Sequence, residues 1–120
     1  MELPEFRILL EAQVRLIDQP DLTTFVRSRL VTPQIEHRIW DYGEPWQTFP
    51  CWLCLADQPT NTGITYCEQG FGPAYPWGLV FLSRRHSSIG MDSQWYVSLE
   101  DAVRESQFWE GKNPPWQATQ

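Results

Sequence analysis

The period of the apolar positions changes along the chain. From Glu5 to Ile17, the residues Phe6, Leu9, Leu10, Val14 and Ile17 recur at helical spacing, while Ile8 and Leu16 fall off the stripe. Pro4 suits a first turn, and Asp18-Gln19-Pro20 reads as a stop. Asp21 can cap a second helix over Leu22 to Leu30, with Leu22, Phe25, Val26 and Leu30 on one side and Thr32-Pro33 ending it. From Gln34 the period becomes two. Ile35, His37, Ile39 and Asp41 alternate with Glu36, Arg38, Trp40 and Tyr42, which predicts a strand broken by Gly43-Glu44-Pro45. Further strands are predicted over Phe49 to Ala56, Ile64 to Glu68 and Trp77 to Ser83, with room for a short edge strand within Ser87 to Tyr96.

The connections are rich in turn formers. Pro59, Asn61 and Gly63 precede the third strand, and the two glycines and two prolines of Gln69 to Pro76 predict an ordered loop. Ser98, followed by Glu100 and Asp101, predicts a helix to about Trp109 that buries Leu99, Ala102, Val103 and Ser106 and stops at Gly111. No helix separates the strands, so parallel pairing is excluded. The expected fold is α+β: an antiparallel sheet of four to five strands with helices packed on one face. One domain is expected over 1–120, with a loosely ordered tail at 112–120. Ile39, Leu53, Leu55, Ile64, Leu79, Val80 and Phe81 are the expected core of the sheet.

Charge changes this picture. Between Arg38 and Arg84 there is no lysine or arginine, and the only charges are Asp41, Glu44, Asp57 and Glu68. The same stretch holds Trp40, Tyr42, Trp46, Phe49, Trp52, Tyr66, Phe71, Tyr75, Trp77 and Phe81. A missing cation is ordinary for a sheet interior, but in the loops Asp41 to Trp46 and Glu68 to Trp77 solvent would permit lysine. The net charge of −6 and pI near 4.7 argue against nucleic acid as a partner, because phosphate neutralisation needs clustered cations and only Arg84-Arg85-His86 comes close. An acidic surface steers basic protein partners instead. No apolar run approaches the length that spans a bilayer, and no basic region followed by an apolar one opens the chain, so a cytoplasmic location without a membrane partner is expected.

Chemical motifs are sparse. Cys51-Trp52-Leu53-Cys54 has the spacing of zinc and dithiol sites, but residues three apart on a strand face opposite ways. Buried structural thiols are therefore expected, with a redox role only if the segment is a loop-to-helix turn. Cys67 is the third cysteine, and the odd number fits a reducing compartment. His37 and His86 lack any local partner that would make a catalytic base. Gly70-Phe71-Gly72-Pro73 lacks the Lys-Ser/Thr end of a phosphate loop and the third glycine of a dinucleotide loop. No catalytic residue, metal site or cofactor is expected.

The stretches Thr62-Gly-Ile-Thr-Tyr-Cys-Glu-Gln-Gly-Phe-Gly-Pro-Ala-Tyr-Pro-Trp-Gly-Leu-Val and Ser88-Ile-Gly-Met-Asp-Ser-Gln-Trp-Tyr resemble small bacterial proteins. In size, acidity and aromatic content the chain is similar to immunity proteins of bacterial toxin systems. The resemblance implies a protein-binding module that neutralises a cognate toxin. Charge and aromatic content place partner contacts at Asp41, Glu44, Trp46, Asp57, Glu68, Phe71, Tyr75 and Trp77, since rigid aromatics make interface anchors. The alternative is a small enzyme or small-molecule-binding protein using Cys51, Cys54 or Cys67 with His37 or His86 in a tryptophan-walled pocket. A third possibility is a subunit of a larger assembly.

Overall fold

A computed structural model describes residues 1–83 and 88–115. The order is α1 (Leu3–Arg15), α2 (Pro20–Arg29), β1 (Leu30–Ile39), β2 (Thr48–Asp57), β3 (Thr62–Tyr66), β4 (Trp77–Phe81), β5 (Trp95–Tyr96) and α3 (Leu99–Arg104). The strands form one antiparallel sheet in chain order, β1-β2-β3-β4-β5. This is the α+β architecture read from the alternation of periods. Among the described residues no helix is long and apolar enough to cross a membrane.

The first helix follows its stripe. Phe6, Leu10, Val14 and Ile17 are buried, whereas Ile8 and Leu16 point to solvent. Glu5 reaches back to the Glu2 backbone N–H at 3.1 Å and closes a capping box. The second helix departs from expectation at both ends. Pro20 opens α2 instead of stopping α1, and the cap is Gln19, whose side chain accepts from Leu22 N–H at 2.6 Å. Asp21 lies in the first turn. Helix α2 gives way to β1 at Leu30, and Pro33 sits inside this edge strand, where the register with β2 shifts between Leu30 and Gln34.

One face of the sheet carries the main core. Phe6 stacks on Trp52 at 5.1 Å between ring centres and meets Tyr66 and Trp77, which oppose each other across β3 and β4. A register shift between Leu53 and Leu55 lets the consecutive residues Cys54 and Leu55 both enter this core. Ser98 caps α3 through Asp101 N–H, and Gln13 of α1 accepts from Leu99 N–H at 3.0 Å. Leu99, Ala102 and Val103 are buried, but the helix ends at Arg104 and not near Trp109. Ser106 caps a separate 3₁₀ turn, Gln107–Trp109, whose Phe108 and Trp109 rings pack on Phe25 of α2. Of the expected loose tail, residues 116–120 lie outside the described residues, while Lys112 N–H bonds Trp109 O and Pro114 is buried.

Among the described residues no α-helix packs on the opposite face. Cys51, Cys67, Ile89 and Trp95 form a second buried cluster, with Trp40, Phe49 and Phe71 packed against it. The segment from Ser88 to Trp95 closes it. Ser88 bridges Ile39 at the end of β1, and Trp95 pairs with Gly78 of β4, so the segment reaches from the first strand to the fourth. The Trp95 indole lies over Gly78 and donates from Nε1 to Ile89 O at 2.7 Å. Arg38 crosses beneath it, donating to Phe81 O at 3.0 Å, Ser88 O at 3.3 Å and Glu36 at 2.9 Å. The alternation in β1 is thus inverted: Arg38 is buried, and Ile35 and Ile39 are exposed. Phe81 is exposed too, so Ile39 and Phe81 leave the expected core. Both stand at strand ends.

Asp57 ties β2 to α2. It is fully buried, accepts from Arg29 Nε at 2.7 Å, and holds Thr60 Oγ1 at 2.7 Å. Burial alone would raise its carboxyl, but the Thr60 hydroxyl and the Arg29 guanidinium outweigh that and hold it below its ordinary value. Its contribution is therefore complete above the ordinary value of 3.8 and is lost as pH falls through the lower folded-state value. Asp57→Asn should cost about 1.5–3 kcal/mol at neutral pH, the worth of hydrogen bonds to a charged group, and should flatten the acid limb of stability in denaturant titrations. Gly78→Ala would drive a methyl into the Trp95 indole and should cost about 1–3 kcal/mol by overpacking, with a shift in tryptophan fluorescence.

Candidate functional site

Two loops bear the exposed aromatics, and the structure joins them. The first follows β1. Trp40 N–H bonds Gln47 O at 3.0 Å, and inner turns bond Gly43 N–H to Trp40 O and Gln47 N–H to Glu44 O. The chain is thereby pinched at Trp40 and Gln47 so that residues 41–46 stand out from the sheet. The second loop follows β3. Cys67 N–H bonds Pro76 O at 2.8 Å, extending the β3–β4 ladder one step, and Tyr75 N–H bonds Gly72 O. Gly72 has φ of +95°, a conformation for which glycine is the ordinary choice.

Rings bridge the two. Trp40 meets Phe71 edge-on at 5.0 Å, Tyr42 meets Phe71 at 5.8 Å, and Phe71 reaches Trp95 at 6.0 Å. Trp40 also contacts Tyr42 and Phe49. Edge-to-face and tilted contacts of this kind each contribute about 0.5–1.5 kcal/mol beyond area burial. The inner rings are half-buried supports, and the outer ones face solvent: Tyr42 is 59% exposed, Trp46 77% and Tyr75 50%.

The eight residues marked in the sequence divide accordingly. Asp41, Glu44 and Trp46 are exposed together on the first loop. Phe71 supports and Tyr75 projects on the second. Glu68 is exposed but stands apart, its carboxylate accepting from Tyr66 Oη at 2.6 Å beside an open cleft lined by Ile35, Pro50, Trp52 and Tyr66. Trp77 and Asp57 are interior, one in the main core and the other in its ion pair with Arg29, so neither offers a contact surface. Both belong to strands whose buried face their own alternation does not reveal. Tyr42 is exposed beside them but is not among the eight, though its place next to Asp41 in the same loop was an available signal.

The thiols separate differently from their sequence spacing. Cys54 lies in the helix-side core and donates to Ile64 O, and burial pushes its thiol up. Cys51 lies on the other face, so the C-x-x-C pair is divided by the sheet. Cys51 instead meets Cys67. The interaction between the two sulfurs lowers Cys67, against the cost of burial and with help from the Gly70 and Gln69 backbone N–H groups. The same interaction, followed by burial, pushes Cys51 up. His37 pairs with Pro50 and therefore points to the face opposite Cys51. His86 lies outside the described residues. A single pocket drawing on Cys51, Cys54 and His37 is not formed, and among the described residues no group of three or more His, Cys, Asp or Glu could hold a metal ion.

Support and display can be told apart by substitution. Trp40→Ala should cost about 2 kcal/mol, below the roughly 3–5 kcal/mol of a fully buried aromatic, because Trp40 is half-buried. Trp46→Ala should change stability by less than about 0.5 kcal/mol, as surface substitutions do. Equilibrium denaturation of both variants checks this. No protein-family model matches the chain, and no curated protein and no solved structure matches it.

Proposed function

We propose that the protein is an acidic protein-binding module of the bacterial cytoplasm, of the immunity-protein type, which masks a basic face of a cognate toxin. The observation that carries this reading is the pairing of exposed Tyr42, Trp46 and Tyr75 with Asp41 and Glu44 on two loops that contain no lysine or arginine. The Trp40–Phe71 contact holds the loops before any partner arrives. A prepared aromatic surface loses little conformational freedom on binding, and acidic groups around it raise the rate of encounter with a basic partner. Charge complementarity also favours a partner that would otherwise engage nucleic acid, because such faces are rich in lysine and arginine.

The test is affinity capture from the native host with the wild-type chain and with two variants, Trp46→Ala and the charge-reversed pair Asp41→Lys/Glu44→Lys. A basic protein held by the wild type should bind Trp46→Ala roughly tenfold or more weakly, the level expected of an aromatic anchor. The charge-reversed pair should slow association and abolish its dependence on ionic strength. Co-expression should then suppress any toxicity of the captured protein. A partner that is acidic, or one whose binding ignores all three substitutions, would remove the proposal.

A further inference from the structure

Trp52–Tyr66 is the last register pair of β2 and β3, and the next residues outward are Cys51 and Cys67. Opposed residues of antiparallel strands have Cα atoms about 4.5–5.5 Å apart, within the range of about 4.4–6.8 Å that a disulfide spans. Both thiols lie in the same buried, helix-free cluster. Their surroundings differ in kind. Cys51 Sγ has an acceptor beside it, Phe49 O at 3.5 Å, which favours the protonated thiol. Cys67 Sγ lies instead against the backbone of Gly70, 4.0 Å from where a Cβ would stand there, and the N–H groups of Gly70 and Gln69 favour its thiolate. Gly70 keeps that backbone close: a Cβ there would stand 2.9 Å from Ile89 Cδ1. Among the described residues, Arg38 and Glu36 of β1 act on Cys51 and Glu68 acts on Cys67. Cys67, 1% exposed, borders the open cleft beside Glu68, about 310 Å³ in volume.

We infer that Cys51 and Cys67 form a reversible dithiol–disulfide site, oxidised by hydroperoxides, that fastens the root of the 67–76 loop to β2. The thiolate is the attacking form of cysteine, and a divided pair of this kind supplies both an attacking sulfur and a resolving one. Cys67 sulfur attacks the terminal peroxide oxygen; the S–O bond forms as the O–O bond breaks, and the departing oxygen takes a proton to leave as water from hydrogen peroxide or as an alcohol from an organic hydroperoxide. Cys51 then releases its proton and attacks the sulfenic sulfur; the S–S bond forms, the S–O bond breaks, and water leaves. Two electrons pass from the thiol pair to the peroxide. A small-molecule dithiol restores the reduced pair by exchange. This site is independent of what the outer loops bind.

The full-length protein is treated with hydrogen peroxide and cleaved after acidic residues without reduction. Cleavage at Asp57 places Cys51 and Cys54 on one peptide and Cys67 on another, whereas trypsin would leave all three together because no lysine or arginine intervenes. The expected product is a cross-link from Cys67 to Cys51, with the loss of two hydrogen masses, reversed by dithiothreitol and retained in Cys54→Ala. In Cys51→Ser, oxidation should stop at a Cys67 sulfenic acid that dimedone traps. Alkylation of the reduced wild type should label Cys67 before Cys51 and Cys54. A link to Cys54, no link at all, or a Cys67 that alkylates no sooner than the other two thiols would overturn the inference. Fragmentation of the linked peptide from the unmodified chain assigns the sulfur to Cys51 or Cys54, so a variant that fails to fold does not affect the decision.

Discussion

A five-stranded sheet has two sides to cover, and the chain has helices for only one. Phe6, Leu10 and Val14 of α1, Leu22 and Val26 of α2, and Leu99 to Val103 of α3 cover the side that carries Trp52, Ile64, Tyr66 and Trp77. The other side is closed by the segment from Ser88 to Trp95, which carries a bridge to β1 and a single 3₁₀ turn, Asp92–Gln94. Its closure depends on one contact, the Trp95 indole lying on Gly78, where the missing Cβ leaves room for a large ring. Trp95 is secured at its edge by Ile89 O, Ile89 N–H bonds Ile39 O, and Arg38 satisfies the carbonyls of Phe81 and Ser88. With these in place, Phe71 has a surface to lean on, and through Phe71 the two outer loops acquire fixed positions.

Much of the fold was legible because local pattern and tertiary burial agree. The α1 stripe separates Phe6, Leu10 and Val14 from Ile8 and Leu16 as the structure does. Four strands fall where period two or an apolar run places them. Disagreement appears where a long-range contact overrides the local signal. Arg38 is buried since the 88–95 segment passes over it, and nothing within β1 announces that segment. Gln19 outcompetes Asp21 as a cap because Pro20 can itself begin a helix, so the two signals for stop and start exchange places.

The candidate site was legible in composition and not in geometry. The absence of lysine and arginine marks both loops, yet it marks Asp57 and Trp77 equally, although one is a buried ion-pair partner and the other a core ring. Pairing decides such cases. The same is true of the cysteines: the short spacing of Cys51 and Cys54 attracts notice but places them on opposite sides of the sheet, whereas Cys67 is distant in sequence and adjacent across the hairpin. The shift of register at Leu53 and Leu55 is the physical reason that counting from the turn is not enough.

The strand order has a kinetic meaning. From β1 to β4 every neighbour in the sheet is also a neighbour in sequence, so these three hairpins close short loops at small entropic cost. The bridge from Ile39 to Ser88 and the reach of Arg38 to Phe81 span far longer stretches, and they form only after the meander exists to receive them. The wrapped segment is therefore the expected last piece to dock and, by reversal, the first to lift in the partial openings that hydrogen exchange records. Such an opening would uncover Cys51, Cys67 and the inner side of the Phe71 loop together while leaving the helix-covered core closed.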